Sequence, residues 1–193
     1  MADTHCSSAA EAIGRSKVML VQLELPLELS WHAMKIAHQK GVRTILNTAP
    51  APSEPLPADI YKDVTILCAN QPEVEMLTGM EAKDTASAEA AARKVIEMGA
   101  NAVILTLGSN GCLLIEGDGP SVHIPAIKVD KVVDTTGAGD SYLGALAHFL
   151  ALGADLKTAM AKANRVAGMS VQKRGTQSSY PTPSDLPEDF FSI

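Results

Sequence analysis

The chain has 193 residues, with 22 Asp and Glu against 16 Lys and Arg, so its formal net charge is −6. This length is typical of one domain. The excess of acidic residues argues against binding to nucleic acid or to an anionic membrane, because such surfaces are usually bound by clustered Lys and Arg. Three cysteines without a C-x-x-C pair give no support to a disulfide framework, and no apolar stretch reaches the ~20 residues of a membrane span. We therefore expect a cytoplasmic protein and leave a nuclear pool open.

Strands and helices alternate along the predicted chain. Short apolar runs, typical of buried parallel strands, occupy residues 18–24, 42–47, 64–69 and 102–107. Helical patterns lie at 30–40, 72–79, 87–98, 140–152 and 155–172. Ser30 is predicted to cap the first of these helices. A hairpin-like region follows the fourth strand, and a further short strand is predicted to begin at Val132.

This alternation predicts an α/β fold, mainly a parallel sheet with helices on both faces. We expect a single domain over residues 13–193, preceded by a disordered leader over residues 1–12. The proline-rich tail from Gly175 onward excludes a long helix there.

The segment Asp134 to Asp140, with the sequence DTTGAGD, carries the clearest chemical signal. Two glycines before a helix let the backbone turn tightly, so several N–H groups point at one spot where the helix dipole adds positive potential. Asp140, in the first helical turn, should stay ionised there and can accept a proton from a nearby hydroxyl. An anion hole beside a base suits phosphoryl transfer. The alternative interpretation is a glycine-rich helix start with a dipole-favoured Asp.

Three weaker signals stand at other strand ends. Asn70 and Glu73 suit the surroundings of Mg²⁺ and phosphate-bound water, or else they are an ordinary helix start with a capping Asn. The stretch 106–111 can hold a nucleotide through backbone groups, or it is simply a turn. Glu24 can accept hydrogen bonds from sugar hydroxyls, or it is simply solvated. Each of these segments is ambiguous when taken singly.

Together, these segments resemble the ribokinase-like family of carbohydrate kinases from about residue 13 to the C-terminus. The family's motifs occur here in order, at residues 22–24, 46–51, 70–79, 106–109 and 134–140. The resemblance implies transfer of the γ-phosphoryl group of ATP to the 5-hydroxyl of ribose, giving ribose 5-phosphate. ATP and a pentose are then the expected partners, with Mg²⁺ and an activating K⁺ as cofactors.

The resemblance also assigns roles to individual residues. Asp140 would be the base and, with Glu24, would touch the sugar, while the amides of Gly137, Ala138 and Gly139 would form the anion hole. The nucleotide would be bound by Asn70, Thr106, Gly108, Ser109, Gly111 and Asn164. Glu73 would lie near Mg²⁺. The K⁺ ligands, largely backbone oxygens, would come from Asp134, Thr136, Ser170, Gly175 and Ser179.

The N-terminal part of the family pattern has no match in this sequence. In the family, that region supplies the first strands, a sugar-gripping Asp, a Gly-Gly sugar loop and the β lid that forms a homodimer. The sequence is therefore expected to be an N-terminally shortened form in which nucleotide contacts survive and ribose phosphorylation is absent or severely weakened. The alternatives are an active kinase, a non-catalytic nucleotide-binding fragment that partners a complete subunit, and a poorly folded product.

Overall fold

The computed structural model describes residues 2–52 and 54–192, with side chains from residue 9 onward within these ranges. The chain divides into two compact units, and the single domain predicted over 13–193 stays a prediction. The first unit comprises Met1–Leu107 and Leu113–Val122, and the second comprises Gly108–Cys112 and His123–Ile193. Each unit is described separately below.

Six strands form one sheet in chain order, and the first four run parallel to one another. They are β1 Val18–Val21, β2 Arg43–Asn47, β3 Ile66–Asn70, β4 Ala102–Thr106, β5 Cys112–Glu116 and β6 Val122–Ile124. The helices of the first unit are α1 Ala2–Arg15, α2 Leu27–Gln39, α3 Gln71–Thr78 and α4 Thr85–Glu97. The predicted α/β fold with a mainly parallel sheet is confirmed.

The core of the first unit follows the two-residue period of its strands. Leu46, Leu67 and Leu105 lie in a buried cluster with side chains from α2, α3 and α4. The alternate residues Ile45 and Ile104 are fully buried outside that cluster. Burial of both sets explains why these strands read as continuous apolar runs.

The structure differs from the sequence prediction at the start of the chain. Helix α1 occupies most of the segment predicted to be a disordered leader, because its later part is rich in Ala, a strong helix former. Strand β1 ends at Val21, so Glu24 lies in an exposed bend beyond it. Helix α2 starts after Pro26, which places Ser30 inside the helix and buried instead of at its cap.

The second unit contains two longer helices, α5 Ala138–Leu152 and α6 Leu156–Ser170, which pack against each other. Asp155 caps α6 by accepting a hydrogen bond from the Thr158 amide at 2.9 Å. No strand forms at Val132: the amides of Val133 and Asp134 donate to the Val171 carbonyl after α6 instead. In the described part of the tail after α6, the helical segments are single 3-10 turns, as the prolines of the tail predicted. Within the described residues, every helix is too short or too polar to cross a membrane.

Candidate functional site

The start of α5 requires glycine at position 137 for two reasons. Its φ of 76° lies in the left-handed region, which residues with a side chain rarely adopt. A Cβ at this position would also lie 2.7 Å from the Tyr180 hydroxyl and 3.3 Å from the Thr176 Cα. The turn at Gly137 is therefore closely packed against the segment 176–180.

The amides of this turn differ in what they can offer an anion. The Ala138 N–H donates to the Thr135 carbonyl at 3.2 Å, and the Ser141 N–H makes the first helical bond, to Gly137, at 2.9 Å. First-turn N–H groups have no acceptor within an α-helix, so Gly139 and Asp140 supply donors here. The anion hole predicted on Gly137 to Gly139 stays a prediction, and the turn's own hydrogen bond engages the amide of one of its members, Ala138.

Asp140 is exposed in the first turn of α5, as predicted. Asp140 is among the residues that line a pocket of about 360 Å³. The pocket is mostly apolar, and its other titratable side chains are His148 and Tyr180. A carboxylate at a helix N-terminus is stabilised by the helix dipole and can accept a proton from a bound alcohol.

Asp134 joins two loops of the second unit. One carboxylate oxygen accepts from the Thr136 amide and the other from the Gly175 amide, each at 3.0 Å. These hydrogen bonds, Gly175 first, lower the pKa of Asp134 to about 2. The predicted cation residues Asp134, Thr136 and Gly175 are thus brought together.

Ser170 and Ser179, also predicted cation ligands, are both buried. The Ser170 hydroxyl donates to the Ala167 carbonyl at 2.8 Å and lies 3.2 Å from the Ser141 hydroxyl. The Ser179 hydroxyl donates to the Thr176 carbonyl at 2.7 Å. The hydroxyl proton of each serine is thus engaged within the protein, and ligation through backbone oxygens at these two positions stays a prediction.

The turn from Gly108 to Gly111 is built by close backbone contact. A Cβ on Gly111 would lie 2.1 Å from the Ile124 carbonyl oxygen. The side-chain amide of Asn164 donates to that carbonyl at 3.2 Å and to the Pro125 carbonyl at 3.1 Å. Its oxygen faces the Cys112 thiol at 3.6 Å. Asn164 therefore holds the end of β6 beside the turn, a role that sequence reasoning missed.

In the first unit, Asn70 and Glu73 form a capping box at the start of α3. The Asn70 side chain accepts from the Glu73 amide at 2.9 Å, and the Glu73 carboxylate accepts from the Asn70 amide at 3.0 Å and its side chain at 2.8 Å. Thr48 donates to the same carboxylate at 3.2 Å. Glu73 is buried, so the helix-start alternative describes what these two side chains do here.

Thr106 lies beside Asn70 at the carboxyl ends of β4 and β3, where the two residues are partners in the parallel register. The Thr106 hydroxyl donates to the Ala69 carbonyl at 3.3 Å. Each unit thus gathers one group of predicted residues: Asn70, Glu73 and Thr106 in the first, and the loops around Asp134 and Asp140 in the second. Tyr180 was not foreseen, since no local pattern marks it, and Thr48 lies in the motif at 46–51 but was given no role of its own.

Comparison with known proteins gives the family. The sequence matches the model of the pfkB family of carbohydrate kinases over residues 6–183. It is 43% identical over 186 residues to ribokinase from Mus musculus, covering 95% of this chain and 57% of that protein. It is 38% identical over 174 residues to deoxyribokinase from Salmonella typhi, covering 90% of this chain and 56% of that protein.

The comparison with solved structures also finds carbohydrate kinases. The fold is similar to that of Arabidopsis thaliana ribokinase complexed with ribose and ATP, with a TM-score of 0.89, 26% identity, and coverage of 96% of this chain and 59% of that one. The fold is also similar to that of ribokinase from Thermotoga maritima, with a TM-score of 0.81 and 32% identity, covering 95% of this chain and 59% of that one. This chain belongs to the pfkB family of carbohydrate kinases. It spans less than two thirds of the length of these relatives.

Proposed function

We propose that this chain carries the phosphoryl-transfer site of an ATP-dependent sugar kinase that phosphorylates D-ribose at its 5-hydroxyl and forms ribose 5-phosphate. The observation that carries this proposal is the pairing of an exposed carboxylate, Asp140, with first-turn amides of α5 in a pfkB-family chain. The names of the relatives support ribose as the acceptor and ATP as the donor.

In the proposed reaction, the Asp140 carboxylate takes the proton of the acceptor hydroxyl as its oxygen attacks the γ-phosphorus. The new O–P bond forms while the bond to the bridging oxygen of ADP breaks, so ADP leaves with the electron pair. The amides of Gly139 and Asp140, with the dipole of α5, stabilise the negative charge on the transferring group.

The nucleotide is proposed to contact Asn70 and the 106–111 segment, chiefly its backbone groups at Thr106, Gly108, Ser109 and Gly111. Asn164 contributes indirectly, because both polar atoms of its amide face protein partners. It holds the Ile124 carbonyl next to Gly111, where no side chain fits. Glu24, exposed beyond β1, stays a proposed sugar contact.

The two proposed cations differ in how well the residues fit them. K⁺ prefers hard oxygen donors. The amides of Thr136 and Gly175 join the Asp134 carboxylate, and the segments at Ser170 and Ser179 are proposed to add backbone oxygens. Direct ligation of Mg²⁺ by Glu73 does not fit, because its buried carboxylate already accepts from Asn70 and Thr48. Among the described residues, no group of three or more His, Cys, Asp or Glu is arranged to hold a metal. We therefore assign Glu73 a contact through water only.

The test is ADP release with ribose and ATP, with and without K⁺, on protein first shown to be folded. Asp140→Asn should lower turnover by ~100-fold or more, within the range for loss of general base catalysis, while ADP affinity stays within a few-fold. Asp155→Asn is the matched control, since Asn caps α6 as well as Asp does.

Two results would count against the proposal. Equal turnover by Asp140→Asn and the parent chain would remove Asp140 from the role of base. A folded parent chain that shifts its melting temperature with ATP but releases no ADP would favour the non-catalytic, nucleotide-binding alternative.

A further inference from the structure

Tyr180 lies directly over the turn that begins α5. Its hydroxyl is the atom nearest to the place where a Cβ on Gly137 would lie, at 2.7 Å, and a ring carbon follows at 3.2 Å. Tyr180 also lines the same pocket as Asp140. One aromatic side chain therefore contacts both the glycine turn and the surroundings of the proposed base.

The position of this ring is fixed by the backbone around it. The Ser179 amide and hydroxyl both donate to the Thr176 carbonyl, at 2.9 and 2.7 Å, and the Tyr180 amide donates to the Gln177 carbonyl at 3.3 Å. Pro181 follows and restricts the backbone of Tyr180 to extended conformations, as its φ of −69° and ψ of 135° show. A half-buried side chain on such a segment has little freedom to move away from Gly137.

We propose that Tyr180 is a positioning residue: its ring backs the Gly137 turn and so sets the placement of the α5 amides and of Asp140. The catalytic part of this inference rests on the proposed function. Without the ring, only the Thr176 backbone would remain in close contact with Gly137 from this segment, and the turn could shift into the space that the ring had filled. Catalysis is sensitive to such shifts, since a misplacement of ~1 Å can lower a rate by ~100-fold.

The first experiment compares kcat and KM in two variants of Tyr180. Tyr180→Ala should lower kcat by ~10-fold or more while the KM for ATP changes less than ~3-fold, because the positioning of the reacting groups is lost. Tyr180→Phe, which keeps the ring, should restore most of kcat. Phe191→Ala, in the same pocket, is the control for loss of an aromatic side chain and should leave kcat near that of the parent chain. Wild-type kcat in a folded Tyr180→Ala variant would overturn the proposal.

The second experiment measures amide hydrogen exchange at Ala138 and Ser141, whose N–H groups donate to the Thr135 and Gly137 carbonyls within the turn. Both amides should exchange at least ~5-fold faster in Tyr180→Ala, because the turn is no longer held by the ring, and at the parent rate in Tyr180→Phe. Unchanged exchange in Tyr180→Ala would overturn the inference. Because this measurement is independent of ADP release, a chain without kinase activity would refute the proposed function and still leave the role of Tyr180 decided.

Discussion

One carboxylate oxygen of Asp134 accepts a hydrogen bond from the Gly175 amide at 3.0 Å, across 41 residues of sequence. The other accepts from the Thr136 amide, at the same distance. The loop before α5 is therefore fastened to the loop after α6 by an ionised side chain. Both hydrogen bonds favour the charged form, which is why the pKa of Asp134 falls to about 2.

Stability should depend on pH through Asp134. Because its folded pKa of about 2 is below its ordinary value of 3.8, the charged form stabilises the fold above pH ~4, and this contribution is lost as the pH falls toward 2. Asp134→Asn should lower the urea midpoint at pH 7, and its difference from the parent chain should shrink between pH 4 and 2. The exposed Asp130→Asn makes the same change of charge and should show no such convergence. A constant difference at every pH would contradict the prediction.

Asn164 is expected to act on stability more than on the nucleotide. Asn164→Leu keeps the volume but leaves the Ile124 and Pro125 carbonyls without their donor, which should lower the free energy of unfolding by roughly 2 kcal/mol or more. Asn101→Ala removes a similar hydrogen bond, to the Val64 carbonyl, at an exposed residue and should cost less than about 1 kcal/mol. Urea denaturation measures both. Weakened ATP affinity with unchanged stability would instead make Asn164 a direct contact.

Substituting two glycines of one turn can distinguish the cost of backbone strain from the cost of a steric clash. Gly108 and Gly111 both have positive φ, of 55° and 88°, but no atom approaches a Cβ on Gly108 within 4 Å, whereas the Ile124 carbonyl lies 2.1 Å from one on Gly111. Gly108→Ala should therefore cost about 1 kcal/mol, from strain alone. Gly111→Ala should cost more than about 3 kcal/mol, because the β6 end must also move. Equal losses of unfolding free energy in the two variants, measured by denaturant titration, would show that the end of β6 moves aside easily.

The first unit contains two capping boxes, which allows a matched comparison. Asn70→Ala at α3 and Asp84→Ala at α4 each remove an N-cap acceptor and should each lower stability by about 1 kcal/mol. Only the α3 variant should weaken ATP binding, measured by calorimetry, if the nucleotide contacts Asn70 as proposed. Glu73→Gln removes the negative charge but can keep the capping box, since Gln also occupies that position. Its effect on ATP affinity therefore reports on the charge alone. Equal ATP affinity in both alanine variants would exclude Asn70 from the nucleotide site.

Strands β2, β3 and β4 were predictable because each is buried on both faces and reads as a continuous apolar run. The prediction of 102–107 for β4 is within one residue of the observed 102–106. The start of α2 was missed because Pro26, not Ser30, precedes its first turn. The strand expected at Val132 was wrong, since its amides bond to Val171, a partner that local sequence cannot reveal.

The candidate site was predictable only as a set of segments. The glycines before α5 and the Asn70-x-x-Glu73 spacing are local signals, and they stand where a strand ends or a helix begins. Which atoms remain available to a ligand depends on distant partners instead. The engagement of Asn164 by the β6 carbonyls, and of Glu73 by Thr48, arises from packing between elements far apart in the sequence.

The hydroxyls of Ser141 and Ser170 lie 3.2 Å apart, buried where the first turn of α5 meets the last turn of α6. Two short side chains can meet in this way only where the two helices lie close together. Since Ser141 adjoins Asp140, this buried contact ties the position of the carboxylate to α6 as well as to the loop before α5. A change that slides α6 along α5 should therefore displace Asp140 even when both loops are left intact.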